Sequence, residues 1–73
     1  MTAKQLANRI ESFNDSPEFR AANLCLKLNS RNGYYALDRI EDRETGSITN
    51  IDCGTLKEIR LTFNGILYGI YAK

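Results

Sequence analysis

The C-terminal run from Gly54 to Lys73 gathers more large apolar side chains than any other stretch, and its fold decides what the rest of the chain can pack against. Wound as a helix, it places Leu56, Ile59, Phe63, Ile66 and Ile70 on one face, at alternating spacings of three and four residues. Thr55 with Glu58 has the capping-box spacing, and Gly54 suits the bend before it. Laid out as strands, the same residues give Ile59, Leu61 and Phe63, an Asn64-Gly65 turn, and then Ile66, Tyr68 and Ile70. Thr62, the tyrosines and the two glycines weigh against the helix, each glycine by about 1 kcal/mol relative to alanine. The cap and the unbroken stripe predict a helix, with a β-hairpin as the alternative. In a helix, Gly65 and Gly69 lie four apart, where another backbone could approach closely; incidental glycines, or a helix ending near Asn64-Gly65, are the plainer explanation.

Seventy-three residues make a single domain, 1–73, with one core. A chain this short buries only about 60% of its unfolded surface, so self-association is a live expectation. An apolar fraction of 42% and a charged fraction of 26% are ordinary for a folded domain. Ten basic against nine acidic residues give no global pull toward nucleic acid or an anionic membrane. The start at Met1 lacks the apolar core of a signal peptide, roughly 7–15 residues, and no run approaches the ~18 apolar residues of a membrane span. The expectation is a cytoplasmic protein without membrane contact. Cys25 and Cys53 are then reduced thiols, and a single disulfide is the alternative.

Upstream, Thr2 with Gln5 is a second capping box, and Leu6, Ile10 and Phe13 predict a helix over about 3–13. Asn14-Asp15-Ser16-Pro17 stops it, and Ser16-Pro17-Glu18 can begin a short helical turn. From Ala22 the period becomes two, with Leu24, Leu26 and Leu28 on one face of a strand. Residues 29–33 form a turn, followed by a second strand from Tyr34 to about Glu41 and a polar bend through Gly46. A third strand, Ser47 to Cys53, has Ile48 as one anchor and Ile51 on the opposite face. The predicted class is α+β: an N-terminal helix, a three-stranded antiparallel meander, and a C-terminal helix packed on the sheet face that carries the leucines.

Histidine is absent, so no Ser-His-Asp or Cys-His arrangement and no two-histidine metal site can be assembled. Cys25 and Cys53 lack zinc-ligand spacing, and the five glycines never form a phosphate loop. No catalytic residue, metal or cofactor is expected. Asp38, Glu41, Asp42 and Glu44, interleaved with Arg39 and Arg43, describe a solvated hairpin tip with mixed ion pairs; functionally, Glu41, Asp42 and Glu44 could meet a basic partner surface. Lys27 and Arg31, beside Tyr34 and Tyr35, are the residues a nucleic-acid reading would use, although RNA-binding sheet signatures are missing.

Tyrosines suit protein contacts, and two layers of a chain this size cannot bury all of Tyr34, Ile40, Leu61, Leu67, Tyr68 and Tyr71. The contact candidates are therefore Tyr34, Tyr35, Glu41, Asp42, Glu44, Tyr68 and Tyr71. The segment Tyr34-Tyr35-Ala36-Leu37-Asp38-Arg39-Ile40, a polar turn, and then Gly54-Thr55-Leu56-Lys57-Glu58-Ile59 resembles a pattern in small accessory proteins of phages and other mobile elements. The resemblance implies a compact, non-enzymatic protein that binds a host or phage protein, such as an inhibitor of a bacterial defence system. It carries over no functional residues. Self-association as a homodimer and a nucleic-acid-binding domain are the alternatives.

Overall fold

The computed structural model describes residues 2–42 and 44–72; Arg43, placed by the sequence in the acidic turn, lies outside them. The chain is α+β, with α1 (Ala3–Asn14), α2 (Pro17–Ala21), β1 (Leu26–Arg31), β2 (Tyr34–Asp42), β3 (Ser47–Gly54) and α3 (Leu56–Tyr71) in that order. The strands form an antiparallel sheet ordered β1-β2-β3.

Local chemistry sets the boundaries. Both long helices begin at complete capping boxes, Thr2 with Gln5 and Thr55 with Glu58. Glu58 folds back so closely that a Cβ on Gly54 would meet its Oε1 at 2.9 Å, so a larger residue before this cap would have to displace the end of the capping glutamate. Ser16 caps α2, whose first residue is Pro17. Asn23, at φ 53°, then reverses the chain, which is why β1 starts at Leu26 and not near Leu24. Asn29, Ser30 and Arg31 continue the strand instead of belonging to the turn. The turn is Asn32-Gly33 alone, with φ of 49° and 85°, a pairing suited to a tight hairpin.

The last run is helix, not hairpin. Its stripe drives Ile59 and Phe63 fully into the core, where they meet Leu6 and Ile10 of α1, Phe19 of α2, Leu26 of β1 and Leu37 of β2. Leu24, Leu28, Tyr35, Leu56, Ile66, Leu67 and Ile70 pack around that cluster. Phe13 joins the helices, its ring centroid 5.8 Å from those of Phe19 and Phe63 and 5.9 Å from that of Tyr71. The Arg9 guanidinium lies 5.9 Å from the Phe13 centroid and 5.8 Å from that of Phe63, covering the junction with a cation.

The strand side chains that meet the helices are Leu26, Leu28, Tyr35 and Leu37, all on one sheet face. The opposite face carries Lys27, Asn29 and Arg31, paired in register with Asp38, Ala36 and Tyr34, and then Cys53 beside Ala36. The register of β3 shifts between Leu37 and Asp38, where Asp52 and Asn50 are successive partners and Ile51 is the extra residue. Ile48 and Ile51 do not anchor β3 by burial, since both are exposed; the strand is held by its ladder to β2 and by Thr62 of α3, which donates to Asp52 Oδ2.

Candidate functional site

The face without helices has a charged centre that is fully buried. Asp38 is 0% exposed, although it lies on the outer side of the sheet. Arg31 donates from Nη1 and Nη2 to its two carboxylate oxygens, Asn29 Nδ2 donates to Oδ2, and Asn50 Nδ2 donates to Oδ1 at 3.0 Å. The hairpin register brings Arg31 and Asn29 alongside Asp38, and the bulge in β3 swings Asn50 over it. Burial pushes the Asp38 carboxyl up, but the hydrogen bonds from Arg31, Asn50 and Asn29, with the charge on Arg31, hold it below the usual carboxylate range. Arg31 is raised in turn, first by its hydrogen bond to Asp38. Asp38 therefore does not belong to a solvated tip, as the charge pattern implied; it is the one buried charged side chain among the described residues. Arg39 and Glu41 do form an ion pair, at 3.8 Å, near the end of β2.

This geometry divides the contact candidates. Tyr34 is exposed on the outer sheet face with Lys27 and Arg31. Tyr35 points the other way, against the core, and lines a shallow groove with Gly33, Gly54 and Leu56. Glu41, Asp42 and Glu44 are exposed at the far end of β2, where Asp42 Oδ1 accepts from the Glu44 N–H at 2.8 Å. Tyr71 ties α3 to α2, its hydroxyl 3.2 Å from Ser16 Oγ and 3.5 Å from Glu18 Oε2. Tyr68 makes no such tie and is 77% exposed. The tyrosines and the acidic turn thus occupy separate surfaces.

The basic residues are brought together only in part. Lys27, Arg31 and Tyr34 share one face, yet Arg31 is neutralised by Asp38, and Tyr35 is turned away. That leaves a thin positive surface for a phosphate backbone.

The largest apolar surplus is on α3. Leu61 and Tyr68, seven residues apart and so on one side of the helix, are 55% and 77% exposed. Gly65 and Gly69 lie on the same side, and a Cβ added to either would meet nothing within 4 Å. The stripe is legible from spacing alone, but the stronger inner stripe of Ile59 and Phe63 masks it.

Cys25 and Cys53 form no disulfide. Cys53 is exposed on the outer sheet face, its Sγ 3.2 Å from Asn50 Oδ1. Among the described residues no three His, Cys, Asp or Glu side chains gather as metal ligands, and no helix is long and apolar enough to cross a membrane. No protein-family model, curated protein or solved structure matches the chain.

Proposed function

We propose that this chain is a small, non-enzymatic protein-binding module whose contact surface is the outer stripe of α3. The carrying observation is the pair Leu61 and Tyr68, the two most exposed large apolar side chains among the described residues, aligned over Gly65 and Gly69. Large aromatic and aliphatic groups beside bare backbone favour close packing by an apolar helix or loop of another protein, and water is released from both surfaces. Binding there occludes the partner's own surface without rearranging this fold, whose core lies on the opposite side of α3. The narrower reading, a phage-type modulator of a host protein such as a defence component, rests on the Gly54-Thr55-Leu56-Lys57-Glu58-Ile59 resemblance alone.

The test is affinity capture from a bacterial lysate with the wild-type chain and with a Leu61→Ser, Tyr68→Ser double variant. The proposal expects a discrete protein that survives nuclease and raised salt and is lost with the double variant, whose melting curve stays close to wild type. Material lost on nuclease treatment, or falling steeply with salt, would instead assign binding to nucleic acid. Equal capture by both chains would remove α3 as the contact surface.

A further inference from the structure

The order β1-β2-β3 leaves two outer sheet edges. At the start of β1, the side chain of Asn14 acts as a substitute strand for Leu26 alone: Nδ2 donates to the Leu26 carbonyl at 2.8 Å, and Oδ1 accepts from the Leu26 N–H at 2.9 Å; further along, Lys27 and Arg31 place charge on that strand. Among the described residues, no side chain does the same for the first half of β3.

The register shows which backbone groups that edge presents. Ile40 donates its N–H to the Cys25 carbonyl at 2.8 Å, so the backbone of Ile40 turns toward β1 and that of Arg39 toward β3. Thr49, the partner of Arg39, turns its own N–H and C=O inward to β2. Ile48 and Asn50, on either side, therefore point theirs outward, and no side chain of the described residues caps them. Ser47, Ile48, Thr49 and Asn50 carry neither charge nor proline, two of the devices that keep natural edges from pairing. The bulge at Ile51 limits the open ladder to this short stretch.

We infer that this edge pairs antiparallel with the same edge of a second copy of the chain, about a two-fold axis beside Thr49. Outward groups at Ile48 and Asn50 are self-complementary under that axis: Ile48 faces Asn50 of the second copy and Asn50 faces Ile48. Both pairs exchange N–H and C=O, while the two Thr49 side chains meet in the close, non-hydrogen-bonded position that favours a threonine pair. A second copy is the fitting occupant because Ser47–Asn50 is neutral, so bringing two together incurs no like-charge cost. It also covers Ile48, which is 47% exposed. The contact is small, below the about 1,000 Å² of a stable interface, so the dimer is weak and exchanges rapidly. It uses a different surface from the α3 stripe and stands independently of the proposed function.

The experiment is sedimentation velocity together with backbone-amide exchange on the intact chain, from about 10 µM to about 1 mM, the span over which a weak contact associates. Association with rising concentration is expected, with exchange at the Ile48 and Asn50 amides slowing several-fold while the Thr49 amide, already bonded to β2, stays constant. Ile48→Lys, on an exposed side chain, should abolish the concentration dependence, and Leu61→Ser should leave it intact. A chain that stays monomeric throughout overturns the inference. So does a dimer that survives Ile48→Lys or disappears with Leu61→Ser. If Ile48→Lys does not fold, the wild-type amide pattern decides alone: slowing at Thr49 or none at Ile48 and Asn50 refutes the pairing.

Discussion

Removing the Asn14 side chain should unfasten the β1 edge, and its cost can be worked from the structure. Asn14→Ala deletes two hydrogen bonds, of 2.8 and 2.9 Å, to the carbonyl and N–H of Leu26. At about 0.5–1.5 kcal/mol net each, they contribute about 1–3 kcal/mol together. Leu26 is only 1% exposed, so its backbone groups gain little water in exchange, and a value of about 2 kcal/mol is expected. That is a large share of the roughly 4–11 kcal/mol that a chain of 73 residues typically has. With about 4–8 °C of melting temperature per kcal/mol, the midpoint should fall by roughly 8–16 °C. Hydrogen exchange at the Leu26 amide should accelerate by about 30-fold, the equilibrium equivalent of the same loss. Asn14→Asp sharpens the test. It keeps an acceptor for the N–H but sets a carboxylate against the Leu26 carbonyl, so it should be worse than alanine at neutral pH. It should recover as the pH falls and the carboxyl gains a proton to donate. A midpoint for Asn14→Ala within about 2 °C of wild type would refute the reasoning, since water would then be replacing the amide completely.

Two further outcomes follow from the sheet and from α3. Asp38 titrates below its unfolded value of about 4, so between the two values the unfolded chain binds more protons and stability falls as the pH falls. Urea unfolding at about pH 7, 4 and 3 should show this loss in wild type and a flatter profile in Asp38→Asn; parallel profiles would mean that Asp38 carries no such linkage. Gly65→Ala and Gly69→Ala should each stabilise the isolated chain by about 0.5–1 kcal/mol in thermal unfolding, because both sit in a helix with open space beyond the Cα. The same changes should weaken capture of the α3 partner, and a fall in stability would instead show that something already packs there.

Much of the fold can be read from the sequence because its signals are local. Thr55, Glu58 and the stripe through Ile59 and Phe63 define α3, and Thr2 with Gln5 defines the start of α1. The sites were harder to see because they depend on register. Asp38 sits among alternating charges that look solvated; its burial follows only once Asn32-Gly33 is recognised as the whole turn, which sets Arg31 and Asn29 alongside it. The reach of Asn50 depends on a bulge that no local pattern announces. Asn14 reads locally as a helix stop, and its second role needs a strand that arrives twelve residues later. Tyr34 and Tyr35, adjacent in sequence and both contact candidates, lie on opposite faces of β2 by strand alternation, so they cannot serve one contact together. Tyr68 and Tyr71 share a helix, yet Tyr71 reaches Ser16 while Tyr68 stands 77% exposed.

The most direct measurement of the central claim is site-specific photocrosslinking in a bacterial lysate, with the reactive group placed at Tyr68 on the outer stripe of α3 or at Gln5 on the exposed side of α1. The account predicts a discrete protein adduct from position 68, insensitive to nuclease and absent from position 5. Adducts of the same kind from both positions, or only from position 5, would contradict it.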